Sequence, residues 1–361
     1  MKPQFSICIP NFNYGSYLPA TLDSVLKQSD CLFEVVVADN DSTDDSGSIV
    51  QGYVDRDPRI RLRRNSTNVG FARNLDRAAC NAKGDWMTML SSDDLLDHDF
   101  LATYREIISD LGSEASEVIL STTQTLIDGQ GDKLGEIGVD WKLWRNARKN
   151  ERLSEIAGAD VYECEAAILL RQSLQLMRTP FSFASTTYHR SLYEAVEGYS
   201  QTAIINPDKK FSWAILSKAT KALVIDKPLV SYRTHNHNQA AQQSSAGALK
   251  HLTDQYIATF DLPNLMLDAV GLERRDLARA FVEHDIVLRS LLAVANGDRT
   301  HARRAIHFGL ATYPKELKQN SKILALRLLL LLGPVGTWIA KRIKGSQIKR
   351  LNRLKGVGDA S

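Results

Sequence analysis

Asp93 and Asp94 are the residues of this chain best placed to do chemistry. They follow the apolar run Trp86–Leu90, inside the polar stretch Ser91-Ser92-Asp93-Asp94, where a strand would leave its sheet. Carboxylate oxygens in that position suit a hard divalent cation, Mg2+ or Mn2+, that shares its coordination shell with a diphosphate. The plainer alternative is that Ser92, Asp93 and Asp94 only cap a helix starting near Asp97, because Ser and Asp are favoured before a first helical turn. Two further polar clusters follow apolar runs in the same way, Asn11 with Asn13 and the stretch Asp39–Asp44. The common signatures of other chemistries are absent: no strand-linked G-x-G-x-x-G, no G-x-x-x-x-G-K-[ST], no G-x-S-x-G and no H-E-x-x-H. Hydride transfer, P-loop ATP hydrolysis and the usual hydrolases are therefore disfavoured.

The elements that must carry these clusters alternate. Phe5–Pro10, Phe33–Asp39, Arg59–Arg64 and Trp86–Leu90 read as strands, and the three consecutive valines 35–37 suit a strand buried on both faces. Between them lie helix-period segments over Tyr17–Lys27, Asp45–Val54 and Phe71–Ala82. That order predicts βαβ units and a mostly parallel sheet, in which ligands bind beyond the carboxyl ends of the strands. All three polar clusters fall at those ends. From Glu117 to about His237 the pattern is mixed: strands over Glu117–Thr122, Ser182–Tyr188, Ala222–Ile225 and Leu229–Arg233, helices over Glu163–Gln175 and Phe211–Ala219. Beyond Ala246 the period is helical, including Leu249–Phe260, Arg275–Ala295 and Arg299–Ala311, and Asn236–Gly247 is the most linker-like stretch.

Composition sets the limits. The 361 residues, 43% hydrophobic and 24% charged, describe an ordinary globular chain with length for two domains or one with a large appendage. A net charge of +3 is too balanced to argue for a nucleic-acid partner. Cys8, Cys31, Cys80 and Cys164 form no C-x-x-C pair, which suggests reduced thiols in a cytoplasm, and the N-terminus shows no apolar secretory region. The charge is unevenly spread: from Lys315 onward it is +9, leaving −6 on everything before.

Four segments in order carry a family resemblance. Ser6-Ile-Cys-Ile-Pro-Asn-Phe-Asn13, with the following helix ending Ser-Val-Leu-Lys-Gln28, resembles the opening of family 2 glycosyltransferases. Ala38-Asp-Asn-Asp-Ser-Thr-Asp44 is similar to their second-strand signature, Asn68-Val-Gly-Phe-Ala-Arg-Asn74 to their N-x-G-x-x-x-A-R-N region with a shorter gap, and Met89-Leu-Ser-Ser-Asp-Asp94 stands where their D-x-D motif stands. The resemblance implies an inverting enzyme of GT-A fold, an α/β mixed sheet flanked by helices and followed here by a C-terminal helical region. It implies that Pro10, Asn11 and Asn13 border the base and ribose, that Asp39 accepts a hydrogen bond from a uracil-type imide, and that Arg73 lies near the diphosphate. Asn68, Gly70 and Ser92 join that nucleotide-sugar set, and Asp93 meets ribose or metal. Ser91 replaces the first acid of the motif, so metal dependence is expected with weaker affinity.

The second half resembles the family more loosely. Tyr188-His-Arg-Ser-Leu-Tyr-Glu-Ala-Val-Glu-Gly-Tyr199 is similar to its F-R-R-S-x-F-E-x-V-G-G-F segment, and the acidic acceptor motif survives as Pro207-Asp208 with Trp213. Asp208 is the candidate general base, with Glu194, Glu197 and Asp226 as competitors, and Asp94 and Trp213 belong to the acceptor side. Pro228-Leu-Val-Ser-Tyr-Arg-Thr-His235 resembles the family's closing P-L-x-x-Y-R-x-H, where His235 joins Asp93 as a metal ligand.

The tail points to a surface location. Ile323–Ala340 is apolar but broken by Arg327, Gly333-Pro334 and Gly336, a poor spanning segment, and basic residues through Lys355 suit an interfacial helix on anionic lipid. The alternative is a core-packing helix with a solvated basic tail. The expected division is 1–237 for the transferase domain (1–115 nucleotide-sugar half, 116–237 acceptor half), 246–320 for a helical region and 321–361 for a basic amphipathic tail. The expected activity is transfer of a sugar from a UDP- or dTDP-linked donor to a hydroxyl of a saccharide or lipid-linked acceptor in bacterial cell-surface polysaccharide synthesis, by a cytoplasmic enzyme peripheral on the inner face of the membrane. The rivals are a catalytically impaired, membrane-associated partner of the same fold, and a nucleotidyltransferase, whose Gly-rich loop this chain lacks.

Overall fold

The computed structural model describes residues 4–29, 32–200, 207–235 and 248–354. The linker-like stretch Asn236–Gly247, Cys31 and Lys355 lie outside the described residues. The chain divides into two compact units, Met1–Ser173 with Arg178–Asn238, and Leu174–Met177 with Gln239–Ser361.

In the first unit β1 (Phe5–Asn11), β2 (Phe33–Asp39), β3 (Ile60–Arg64) and β4 (Trp86–Met89) lie in the order β3-β2-β1-β4, all parallel. The helices α1 (Leu18–Leu26), α2 (Ser46–Val54) and α3 (Phe71–Cys80) connect them. Every residue of β1 and β2 is buried, because both faces are covered, and Ile7, Ile9, Val35 and Val37 join Leu18, Leu22 and Val25 of α1 in one core. The chain adds β2 and β3 on one side of β1 and then crosses to add β4 on the other. That reversal opens a crevice at the carboxyl ends of β1 and β4, the position where ligands bind in open α/β sheets. Asn11 pairs with Asp39 at this edge.

After the two-residue β5 (Leu95–Leu96) and α4 (Phe100–Leu111), the sheet continues through antiparallel β10 (Thr187–His189) to β6 (Val118–Ile127) and β11 (Lys221–Arg233). β6 and β11 run parallel over their length, so Ile127 and Arg233 end side by side. Ala222–Ile225 and Leu229–Arg233, read as two strands, form one: the register shifts around Pro228, which has no N–H to give the ladder and is accommodated at an irregularity. Two other expectations shift. Ser182–Tyr188 is a turn over Phe183–Ser185 followed by the short β10. Val161–Glu165 forms β9 against β11, so the helix expected from Glu163 begins at Ala166. The short strands Lys133–Ile137 and Arg148–Lys149 and the helix Glu151–Ala157, which carry weak periodicity, were absent from the sequence reading.

The second unit is helical: Ala248–Phe260, Asn264–Ala269, Arg274–Phe281, Arg289–Ala295, Arg299–Thr312, Pro314–Gln319, Lys322–Leu331 and Gly333–Leu354. The helix expected over Arg275–Ala295 contains a π-helical segment at Val282–Leu288. Phe281, Ile286, Val294, Ala302 and Leu317 are fully or almost fully buried in this unit.

Candidate functional site

Asn11 and Asp39 face each other across the ends of β1 and β2. Asn11 Nδ2 donates to Asp39 Oδ1 at 2.9 Å and to Ser42 Oγ at 3.2 Å. The Ser42 hydroxyl also donates to Asp39, while among the described residues Asp39 Oδ2 has only long contacts, Ser42 N at 3.3 Å and Arg64 Nε at 3.4 Å. Asp39 is fully buried yet keeps capacity for a further donor, since a carboxylate offers about four lone-pair directions. Asn11 Oδ1 is buried with no hydrogen-bond partner among the described residues. Asn13 has a left-handed backbone (φ 59°), which Asn tolerates, and its Oδ1 accepts from Thr43 N at 2.8 Å.

Of the asparagine network behind this pair, only Asn68 was singled out in the sequence. Asn74 of α3 donates to Ala38 O at 2.8 Å and Asn11 O at 3.3 Å, holding the ends of β1 and β2 together. Asn65 donates to Asn74 and Asn40, and Asn40 Nδ2 donates to Asn68 Oδ1 at 2.8 Å. Asn68 also accepts from Gly70 N at 2.9 Å, and Gly70 takes φ +85°, which explains glycine there although a Cβ would have open space. Arg73, one residue before Asn74, is exposed on the rim.

The turn after β4 is fastened from three sides. Ser92 Oγ donates to Pro10 O at 2.9 Å, and Thr21 of α1 donates to Ser92 O at 2.9 Å, so this serine anchors the turn with its hydroxyl. Arg233, at the end of β11, is buried. Its backbone N–H donates to Asp94 Oδ1 at 2.9 Å, its Nε donates to Asp93 O at 2.7 Å, and its Nη1 reaches Asp128 O and Gly129 O. Tyr17 lies beneath this guanidinium, 5.3 Å from ring centroid to Cζ. These contacts decide against the capping alternative, because helix α4 starts at Phe100 and neither carboxylate serves it.

His235 Nε2 is 2.9 Å from Asp93 Oδ2, and its ring packs against Tyr17 at 4.5 Å and Tyr14 at 5.9 Å between centroids. Burial raises Asp93 above the usual carboxylate range even though His235 pulls it down. Asp94 is raised further, by burial and then by the charge of Asp93, and its Oδ2 is buried with no hydrogen-bond partner among the described residues. A carboxylate pair held in this state favours an incoming cation or donor. The donor set fits a divalent metal in part: Asp93 and His235 provide an oxygen and a nitrogen together, and a Mg2+- or Mn2+-type ion takes most of its remaining ligands from phosphates and water. Among the described residues no group of three or more His, Cys, Asp or Glu side chains is arranged to hold an ion.

Asp208 opens helix α8 (Asp208–Leu216), with α7 (Arg190–Ala195) earlier in the same half. Burial raises the Asp208 carboxyl, partly offset by Lys209. The Tyr232 phenol is raised by burial and then by the charges of Asp94, Asp93 and Asp208, so all three carboxylates lie within electrostatic reach of one side chain. The competitors sit elsewhere. Glu194 and Glu197 are exposed on and after α7, and Asp226 is raised by burial and by Asp160 and Glu136. Trp213 is fully buried, and its indole donates to Arg178 O at 3.2 Å, so it shapes this half from beneath. The segment 188–200 is tied to α3 by Asp76, which accepts from Tyr193 Oη, Tyr199 N and Ser200 N. Gly198 lets that approach happen: at φ +83° a Cβ there would stand 2.5 Å from Asp76 Oδ1.

Residues 6–154 match the family model described as Glycosyl transferase family 2. Over that stretch the chain is similar to family 2 glycosyltransferases. It is similar to the glycosyltransferase GlyG of Streptococcus pneumoniae, 30% identical over 108 residues that cover 30% of this chain and 36% of that protein. It is also similar to the chondroitin synthase of Escherichia coli, 29% identical over 143 residues, 39% of this chain and 20% of that protein. The chain thus spans about a third or less of the length of these curated relatives. Among solved structures, S. aureus TarS 1-349 in complex with UDP-GlcNAc matches with TM-score 0.60 at 17% identity, covering 97% of this chain and 92% of that one. At that identity the likeness speaks for the fold. The mixed sheet with a C-terminal helical region is the GT-A architecture expected from the sequence.

Proposed function

We propose that this protein is an inverting glycosyltransferase that moves a sugar from a UDP- or dTDP-linked donor to a hydroxyl of a saccharide or lipid-linked acceptor in bacterial cell-surface polysaccharide synthesis. The observation that carries this reading is the buried edge where the strands end: Asp39 held by Asn11 at 2.9 Å, and the Asp93-Asp94 turn with His235 Nε2 2.9 Å from Asp93 Oδ2. The relatives' names support glycosyl transfer, and the UDP-GlcNAc bound to TarS supports the donor class.

In this reading the base and ribose lie over the ends of β1 and β2, with Pro10, Asn11 and Asn13 alongside. Asp39 and the unpaired Asn11 Oδ1 accept hydrogen bonds from the base, and Asn68, Gly70, Arg73 and Ser92 border the rest of the donor. Asp208 takes the proton from the acceptor hydroxyl, and its raised proton affinity suits a general base. The acceptor oxygen bonds to the anomeric carbon as the bond from that carbon to the diphosphate oxygen breaks, on the opposite face, which inverts the centre. Asp93 and His235 would hold a divalent cation, which would supply charge neutralisation to the departing diphosphate. Arg233 keeps the Asp93-Asp94 turn rigid, so little reorganisation accompanies the displacement.

The place of action is the inner face of the cell membrane, reached through 321–355. Among the described residues no helix is long and apolar enough to cross a membrane. A thermal-shift screen of UDP and dTDP with and without Mn2+, followed by a donor-hydrolysis assay, tests the reading. Stabilisation by a nucleotide that Mn2+ enhances, with slow release of free sugar, is the expected result. Stabilisation without turnover favours the second reading, a nucleotide-binding partner that has lost catalysis, for which Ser91 in place of an acid speaks. No stabilisation by either nucleotide overturns both.

A further inference from the structure

The helices Lys322–Leu331 and Gly333–Leu354 form a hairpin with two unlike faces. One face packs: Ile323, Leu326, Leu329, Leu330 and Ala340 are all buried. This face is also pinned within the second unit. Arg299 Nη2 donates to Leu330 O at 2.9 Å, Asn320 donates to Glu283, and Lys322 pairs with Glu283. The sequence offered core packing and membrane contact as alternatives, and the structure divides the segment between a packed face and an open one.

On the open face stand Leu324 (75% exposed), Leu328 (56%), Leu331 (82%), Val335 (58%) and Trp338 (55%). In the first helix 324, 328 and 331 repeat at four- and three-residue steps and share one face, and in the second 335 and 338 lie three apart, so each helix contributes part of the exposed apolar surface. Clusters of this kind are rarely left in water without a partner. The charge around them names the partner. Arg327, Lys341 and Arg342 are exposed beside these residues, the Arg342 guanidinium lies 4.3 Å above the Trp338 ring, and from Lys315 onward the only acidic residues are Glu316 and Asp359. Leucines below, a tryptophan at the boundary and basic side chains above match the layering of an anionic lipid interface.

We propose that the open face of this hairpin lies in the plane of an anionic bilayer, with Leu324, Leu328, Leu331, Val335 and Trp338 in the headgroup–acyl boundary while the packed face stays in the protein. This names the contact surface for the membrane location given above and rests on that location; it does not depend on the transfer chemistry. The test is cosedimentation of the full chain with phosphatidylglycerol/phosphatidylethanolamine vesicles and with phosphatidylcholine vesicles, at low and high salt, using wild type, Leu328→Glu/Leu331→Glu and the milder Leu331→Ser. Both leucines are solvent-exposed, and an unchanged melting temperature verifies the fold. Wild type should pellet with the anionic vesicles and retain part of its binding at high salt. The double variant should lose at least about tenfold in bound-to-free ratio, as expected for removing apolar area from the contact, with Leu331→Ser between. Equal pelleting of wild type and both variants would overturn the inserted face and leave a purely electrostatic basic tail. Wild type remaining in the supernatant with both lipids would overturn the membrane location as well. A change from dimer to monomer in the double variant, without vesicle binding by wild type, would assign the face to a second copy of this chain.

Discussion

Two buried carboxylate sites lie at opposite ends of the same strands, and they are built in opposite ways. At the start of β2, Glu34 accepts from Ser6 Oγ at 2.7 Å and Gly84 N at 3.3 Å, and from Lys83 N and Arg61. Burial pulls its carboxyl upward, but these donors overrule it and hold the group below the usual range. At the far end of the sheet Asp94 takes the Arg233 backbone N–H on Oδ1 and a Ser91 side-chain bond, its Oδ2 has no partner among the described residues, and burial with the charge of Asp93 still raises it. The first site is complete as a protein and serves stability. The second carries a desolvation cost that Arg233 and Ser91 relieve only in part, which suits a place that takes a ligand.

The largest way to break this contrast is at Asp208. Asp208→Asn should lower turnover by ~10²–10⁴-fold, the range for losing a general base, with donor affinity nearly unchanged. Steady-state kinetics beside calorimetry checks this, and surviving turnover would pass the role to Glu194, Glu197 or Asp226. Next, Asp93→Ala should remove the Mn2+-dependent part of nucleotide binding, at least about tenfold in Kd, without lowering the melting temperature. Unaltered calorimetric affinity for nucleotide with Mn2+ would sink the metal assignment of Asp93 and His235.

At the stabilising end, Glu34→Ala takes the acceptor from Ser6 Oγ and Lys83 N and the charge partner from Arg61, which keeps only Asn81 O among the described residues, while Gly84 N keeps Ser6 Oγ. It should cost about 3 kcal/mol of stability in denaturant titrations, with activity per folded molecule unchanged. The smallest effect is in pH. Glu34 has a lowered folded value, so its contribution is present above the unfolded carboxylate range and is lost as pH falls through the folded value. Asp93 and Asp94 have raised folded values, so their contribution is present below the unfolded value of about 3.9 and is lost as pH rises through the folded values. Between that point and neutrality the ligand-free protein should therefore lose stability through the Asp pair. Asp94→Asn should flatten this slope in melting curves recorded against pH, and a slope identical to wild type would show that the pair is not its source.

Legibility in the sequence followed how local each feature is. Asn11, Asp39 and Asp93 end strands whose apolar runs and neighbouring helices are continuous in the chain, so their shared edge could be read from periodicity and order alone. The partners that complete the site come from afar. Arg233 stands 140 residues from Asp93 and, like Tyr232, is a named position of a motif read only for His235, while Tyr14 and Tyr17 carry no spacing signal because aromatic residues after strands and at helix starts are ordinary. The bent course of β11 was hidden because Pro228 ordinarily ends a strand.

The tail divides in the same manner. Its composition determined that an apolar, basic, interrupted segment closes the chain, but a count of leucines cannot say which ones face protein. That requires the positions of Glu283 and Arg299: deletion after Asn320 would remove Ile323, Leu326 and Leu330 from a packed unit, whereas substitutions of exposed leucines leave that unit intact. By itself the sequence determined the order of strands and helices, the polar clusters at the strand ends and the charge of the tail, because periodicity, capping and composition act over a few residues. Only the tertiary structure decided which oxygens remain unpaired, which carboxylates share one field and which leucines stay in water, because hydrogen-bond saturation and burial depend on residues that the chain brings together from more than a hundred positions apart.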